Sequence, residues 1–114
     1  MTMEWVRQHC LSLPHATEQV QWENDLVFKI GGKMFAVTAL VPSPVCMSFK
    51  VTPEEFHELT ERPGIIPAPY LARAHWVGLE SLNALPKAEI KKLVSASYKL
   101  VLEKLPKKAQ AELT

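Results

Sequence analysis

The sequence predicts an α+β fold of two layers, an antiparallel β-sheet with helices packed on one face. Three observations carry this expectation. LVFKI-GG-KMFAVTA, residues 26–39, sets two apolar runs on either side of a two-glycine turn, the pattern of a tight β-hairpin. VTPEEF, residues 51–56, starts a helix by several rules at once. Residues 86–105 then repeat apolar side chains at helical spacing.

The chain of 114 residues is read as a single domain over 1–114, long enough to bury about two-thirds of its unfolded surface. Apolar residues make up 47% and charged residues 22%, as in an ordinary soluble domain. The apolar runs are too short for a membrane span. The start, MTMEWVRQHC, lacks the continuous apolar stretch of a secretory signal. The expectation is a cytoplasmic protein, monomeric, with no membrane partner and no cofactor.

In order along the chain, Met3, Val6, Cys10 and Leu13 recur at helical spacing, so residues 3–13 read as an amphipathic helix capped by Thr2 and stopped by Pro14. Val20 and Trp22 alternate with Gln19 and Gln21, a half-buried strand ending at the turn Glu23-Asn24-Asp25. In the hairpin, a two-residue Gly31-Gly32 turn pairs Ile30 with Lys33, Phe28 with Phe35 and Leu26 with Val37. One face then carries Leu26, Phe28, Ile30, Phe35 and Val37 as core. The other carries Val27, Lys29, Met34, Ala36 and Thr38 and can stay open to water.

Pro42-Ser43-Pro44 turns the chain, and Val45, Met47 and Phe49 form the inward face of the next strand, with Cys46, Ser48 and Lys50 outward. Thr52 as N-cap, Pro53 at the first helical position and Glu55 three residues on make a capping box. Pro63-Gly64 ends that helix. Prolines 67 and 69 favour an edge strand or loop, and the alternation of His75, Val77 and Leu79 with Trp76, Gly78 and Glu80 reads as a strand over 74–80. Pro86 opens the last helix, whose buried stripe is Ile90, Leu93, Val94, Ser97, Val101 and Leu105, widened by Tyr98 and Leu102.

Familiar catalytic patterns fail on their own spacing. GGK at 31–33 is no phosphate loop, since Val27 stands at its first glycine and Met34 at its hydroxyl position. HELTE at 57–61 has Glu61 where a zinc-binding helix needs its second histidine. Histidines 9, 15, 57 and 75 share no metal-ligand spacing, and no Gly-x-Ser-x-Gly elbow exists. Cys10 and Cys46 fall on different predicted surfaces, so a disulfide between them is not expected. The chain reads as a non-enzyme.

Net charge is +1 and the sequence pI is about 7.8, but the charge is uneven. Residues 1–86 carry six basic and nine acidic side chains, whereas residues 87–114 carry seven lysines and three glutamates. Such asymmetry marks either a polyanion-binding end or a solvated lysine-rich helix face.

KIGGKMFA, then SFKVTPEEFHELTERPGIIPAPYLARAHWV, then YKLVLEKLPKK together resemble the MmcQ/YjbR-like family over nearly the whole chain. The most specific part is ERPGIIPAPYLARAHWV. The resemblance implies a fold similar to the CyaY-like and secretion-chaperone-like folds, a cytoplasmic bacterial protein, and DNA binding by two hairpins acting as a double wing. It brings no catalytic motif to carry over. The CyaY-like kinship also suggests iron, but such a site needs a row of carboxylates and the first helix offers only Glu4.

The candidate nucleic-acid contacts are Lys29, Lys33, Lys50, Arg62, Arg73 and His75, with Tyr70 and Trp76 as stacking faces. The bland reading of Tyr70 and Trp76 is packing in a rigid, proline-rich crossover. Three functions follow: a non-catalytic, double-wing module for duplex DNA, a protein- or peptide-binding module using the open sheet face, or a small-ligand binder near Pro67–Trp76. One continuous positive face would favour DNA, an exposed apolar patch a protein partner, and a deep cleft near Tyr70 a ligand.

Overall fold

The computed structural model describes residues 3–113. Its elements run α1 (Met3–Ser12), β1 (Thr17–Gln21), β2 (Asp25–Ile30), β3 (Lys33–Ala39), β4 (Met47–Lys50), α2 (Pro53–Thr60), β5 (Ile65–Pro67), a 3-10 turn (Ala72–Ala74), β6 (Trp76–Leu79), α3 (Lys87–Lys104) and α4 (Lys107–Glu112). The six strands form one sheet in the order β1-β2-β3-β4-β6-β5, and every neighbouring pair is antiparallel. The fold is the expected α+β layer pair. β5, ending at Pro67, occupies an edge, where a residue without an N–H costs no ladder bond.

Gly31 and Gly32 adopt φ of 59° and 81°, and Ile30 opposes Lys33, so the two-residue turn forms as the sequence requires. The register then slips. Lys29 faces Met34 while Phe28 faces Ala36, leaving Phe35 as an extra residue in β3. Two expected pairs are therefore corrected: Phe28 opposes Ala36, not Phe35, and Leu26 opposes Thr38, not Val37. Phe35 remains fully buried. Ala36 and Thr38 turn toward the helices, and Val37 turns to the opposite face.

The helical layer covers one side. Val6 and Cys10 of α1, Leu59 of α2, and Ile90, Leu93, Val94, Tyr98 and Val101 of α3 share a core with Phe28, Ile30, Phe35, Met47, Phe49, Val77 and Leu79. The Phe35 ring meets Tyr98 edge-on at 5.4 Å, a favourable aromatic geometry. The apolar stripe of α3 packs as its periodicity predicts. The Thr52–Glu55 capping box is complete, with Pro53 in the first turn; it satisfies two donors that a helix start would otherwise leave unpaired. The predicted Thr2 cap lies outside the described residues.

Other expectations need correction. Trp22 is not in a strand: β1 ends at Gln21, and Trp22 and Glu23 turn the chain with φ of 50° and 68°. Val45 precedes β4 and does not join its inward face. Residues 74 and 75 belong to the 3-10 turn and its left-handed cap, so β6 starts at Trp76. The helix opened by Pro86 is not the last: α4 follows Pro106 and returns Leu113 toward Gly31 and the main core.

The second face of the sheet is not left open along its length. Val27 and Val37 pack there with Ala68 and Trp76, supported by Met34 and Leu71. Gly78 permits this approach: a Cβ there would sit 2.9 Å from Val45 Cγ1 and 3.7 Å from the Ala68 Cα. The segment after β5 thus folds back over the sheet, opposite the helices.

Candidate functional site

The eight predicted contact residues do not share one surface. Lys29 donates to Gln19 at 3.0 Å on the outer strands. Arg62 pairs with Glu89 of α3 at 2.8 Å. The His75 ring is half-buried and meets Phe56 of α2 edge-on at 5.7 Å. Trp76 is 4% exposed, too covered to stack on a base. Lys50 donates to the Ala74 carbonyl at 2.7 Å. Lys33, Tyr70 and Arg73 stay exposed.

What the fold builds instead is a cleft on the second face. It encloses about 620 Å³ between the β2–β3 hairpin, the Pro42–Met47 connection and the Pro69–Leu71 segment. Its walls include Met34, Val37, Val45, Met47 and Leu71, with Trp22 and Tyr70 at its rim and Asp25 among its lining residues. A volume of this size lies within the range of about 300–1,000 Å³ that small-molecule sites occupy.

The rim is unusual in its backbone. Trp22 is 62% exposed and Tyr70 wholly so, yet both are held in left-handed conformation, φ 50° and 67°. That conformation is an outlier for a bulky side chain and is retained where the surroundings impose it. Val20, Leu40 and Val41 add further exposed apolar surface. Sequence reasoning placed the Pro67–Trp76 segment, with Tyr70 and Leu71, at such a cleft but missed Trp22, Met34, Val37 and Val45. The signal for Trp22 was its place beside the polar run Glu23-Asn24-Asp25, which suits a turn as well as a strand end.

His9 and the two cysteines are structurally committed. His9 Nε2 lies 3.1 Å from the Lys91 carbonyl and 2.9 Å from Ser95 Oγ. Burial lowers the His9 pKa below the usual histidine value. Both thiols are free. Burial pushes Cys10 up to about 12 and raises Cys46 as well, which disfavours the nucleophilic thiolate.

No helix among the described residues is long and apolar enough to cross a membrane. In comparison with known proteins, the sequence profile of the YjbR family matches residues 11–100. The uncharacterized protein YjbR of Escherichia coli K12 is 29% identical over 109 residues, covering 93% of this chain and 92% of that protein. A crystal structure of a Deinococcus radiodurans protein with the DUF419 domain is 33% identical with a TM-score of 0.88, covering 98% of this chain and 87% of that one. A Pseudomonas syringae protein of known structure is 24% identical with a TM-score of 0.73, over 88% of this chain and 98% of its own, and shares the fold. The match spans the hairpin, the capped α2, the proline-rich crossover and most of α3, and on it this chain belongs to the YjbR family.

Proposed function

We propose that the chain is a non-catalytic binding module that takes a flat, apolar small molecule in the cleft beneath Tyr70. The observation that supports this reading is the pair Trp22 and Tyr70, two exposed aromatic rings held in left-handed backbone at the rim of one apolar cleft. Strain of this kind costs about 1–3 kcal/mol per residue and is found at ligand clamps. Exposed aromatic faces next to Met34 and Leu71 suit a planar ring system, because methionine adapts its shape and aromatics stack on either face.

The double-wing reading for duplex DNA keeps two supporting side chains, Lys33 and Arg73, which are exposed and without a carboxylate partner among the described residues. The other candidate cations, Lys29, Lys50 and Arg62, have protein partners, which weakens a single phosphate-contacting face.

The test uses the neutral fluorescent probe N-phenyl-1-naphthylamine. It should bind saturably and shift the NMR signals of Met34, Val37 and Val45, and Trp22→Ala or Tyr70→Ala should weaken it several-fold. Duplex DNA, titrated in parallel, should show no binding that falls steeply with salt. If the probe leaves those signals unmoved while DNA binds with a salt slope, the cleft reading fails and the nucleic-acid reading replaces it.

A further inference from the structure

A second pocket, of about 360 Å³, lies where the hairpin tip, the Leu71–Trp76 segment and the end of α3 meet. β3 and β4 diverge here. Their pairing begins only at Ala36 and Phe49, so Lys33 and Lys50 are not ladder partners. The gap is floored by Trp76, Leu71, Val101 and Leu105, and three ammonium-bearing side chains, Lys33, Lys50 and Lys104, line it. Among the described residues that line it none is acidic, and none of the three lysines has an ion-pair partner among the described residues.

This grouping is electrostatically unfavourable in the protein alone. Burial lowers the Lys50 pKa below the usual lysine value, and the neighbouring Lys104 lowers it further. Two cations brought together beside apolar surface repel each other more strongly than in bulk water. Capping of α3 does not require them: Gln110 Nε2 donates to the carbonyls of Glu103 at 3.3 Å and Leu105 at 2.8 Å, and the Leu105 amide donates to Leu102. The lysines thus crowd a partly apolar hollow, and among the described residues their one acceptor is the Ala74 carbonyl on Lys50.

The geometry points to a binding site for a small amphipathic anion, with a carboxylate or phosphate head among Lys33, Lys50 and Lys104 and an apolar body against Trp76 and Leu71. The anion relieves the repulsion between the lysines, and the body covers the half-buried Leu71 and Met34 above a floor already closed by Trp76, Val101 and Leu105. This site is independent of the cleft beneath Tyr70, which meets it only at Met34 and Leu71.

Decanoate is the probe, with 1-decanol as its neutral counterpart and inorganic phosphate as the head alone. Decanoate should bind saturably and shift the Lys50 side chain and the Trp76 indole N–H. Decanol and phosphate should each bind about tenfold more weakly, since each lacks one half of the recognition. Lys104→Met should weaken decanoate by about the same factor, while Lys104→Arg restores binding and shows that the fold is intact. The proposal is overturned if decanol binds as well as decanoate, if Lys104→Met leaves decanoate binding unchanged, or if the shifts fall at Val37 and Val45 instead. Salt-sensitive duplex DNA binding at these lysines with no decanoate binding also overturns it, in favour of a phosphate-backbone contact. Persistence of the decanoate shifts when Tyr70→Ala weakens naphthylamine binding separates this site from the cleft.

Discussion

Ser97 and Phe35, 62 residues apart, are joined by a 2.7 Å hydrogen bond from the Ser97 hydroxyl to the Phe35 carbonyl. The same hydroxyl accepts the Lys50 amide at 3.0 Å. It therefore links β3 and β4 one residue beyond the end of their ladder at Ala36 and Phe49, and a side chain of α3 supplies the bridge there. Ser97→Ala should leave two buried backbone groups unpaired and lower stability by about 1–3 kcal/mol. Urea unfolding with an unchanged m-value checks it; a loss within a few tenths of a kcal/mol would mean that the two strands close up directly.

The bulge also makes a prediction of the opposite sign. Thr38 is 1% exposed, and its hydroxyl has no partner, because the slipped register points it inward between Leu26 and Met47. Thr38→Val removes a buried, unsatisfied group at nearly constant shape and should stabilise the protein by about 1 kcal/mol. A lower melting temperature for this variant would argue that Val37 is the inward residue after all.

Gly31 and Gly32 both need positive φ, but their surroundings differ. A Cβ on Gly31 would lie 2.6 Å from Leu105 Cδ1 and 3.5 Å from Leu113 Cδ1, whereas one on Gly32 meets nothing within 4 Å. Each alanine substitution should cost about 1 kcal/mol through its left-handed backbone. Gly31→Ala should cost more than that, since the buried Leu105 side chain must also move. Equal denaturation midpoints for the two variants would show that the turn does not pack on the α3–α4 corner.

Acid should weaken the protein in two separate windows. The folded His9 pKa lies below its ordinary value because of burial, so the unfolded chain takes up that proton first. The stability His9 contributes is complete above pH of about 6.5 and is lost as pH falls through its lower folded value. Glu18 follows at lower pH, because its hydrogen bonds and charge pairing with Arg7 hold its carboxyl below the usual range. Melting temperature against pH should therefore begin to fall just below 6.5, and His9→Gln should flatten that first descent without touching the second. A parallel profile in the variant would assign the descent to another group.

Tyr70 links strain to binding. It is fully exposed with φ of 67°, so its ring contributes little burial while its backbone is strained. Asparagine tolerates the left-handed region far better than a bulky side chain. Tyr70→Asn should raise stability by about 0.5–1 kcal/mol and at the same time weaken naphthylamine binding. Stability unchanged or reduced, measured by thermal unfolding, would mean that the ring is supported by contacts with the cleft wall.

Much of this fold is written in local chemistry. The Thr52-Pro53-x-Glu55 cap, the Gly31-Gly32 turn and the α3 stripe from Ile90 to Leu105 each rest on residues within one or two turns of each other. The edge position of β5 follows from Pro67. Each of these was legible because a backbone donor, a φ value or a helical period restricts the residue directly. The α4 helix was not, because KKAQAE has little apolar pattern and forms behind Pro106 as Leu113 returns to the hairpin tip.

The candidate site divides differently. The sequence by itself determined that a rigid, proline-rich segment carries Tyr70, Arg73, His75 and Trp76 close together, and that the chain is α+β. Only the tertiary structure decided which of them face one another. The regular hairpin register gave Val37 to the helices on the same face as Phe35 and Thr38 to the other face, but one bulged residue reversed both. That reversal sent Val37 to the second face, where Val27, Ala68 and Trp76 cover part of the sheet and the Tyr70 cleft opens beside them. Strand alternation fixes which residues share a face, but a bulge costs too little to be read from residue types alone, and every side chain beyond it changes sides.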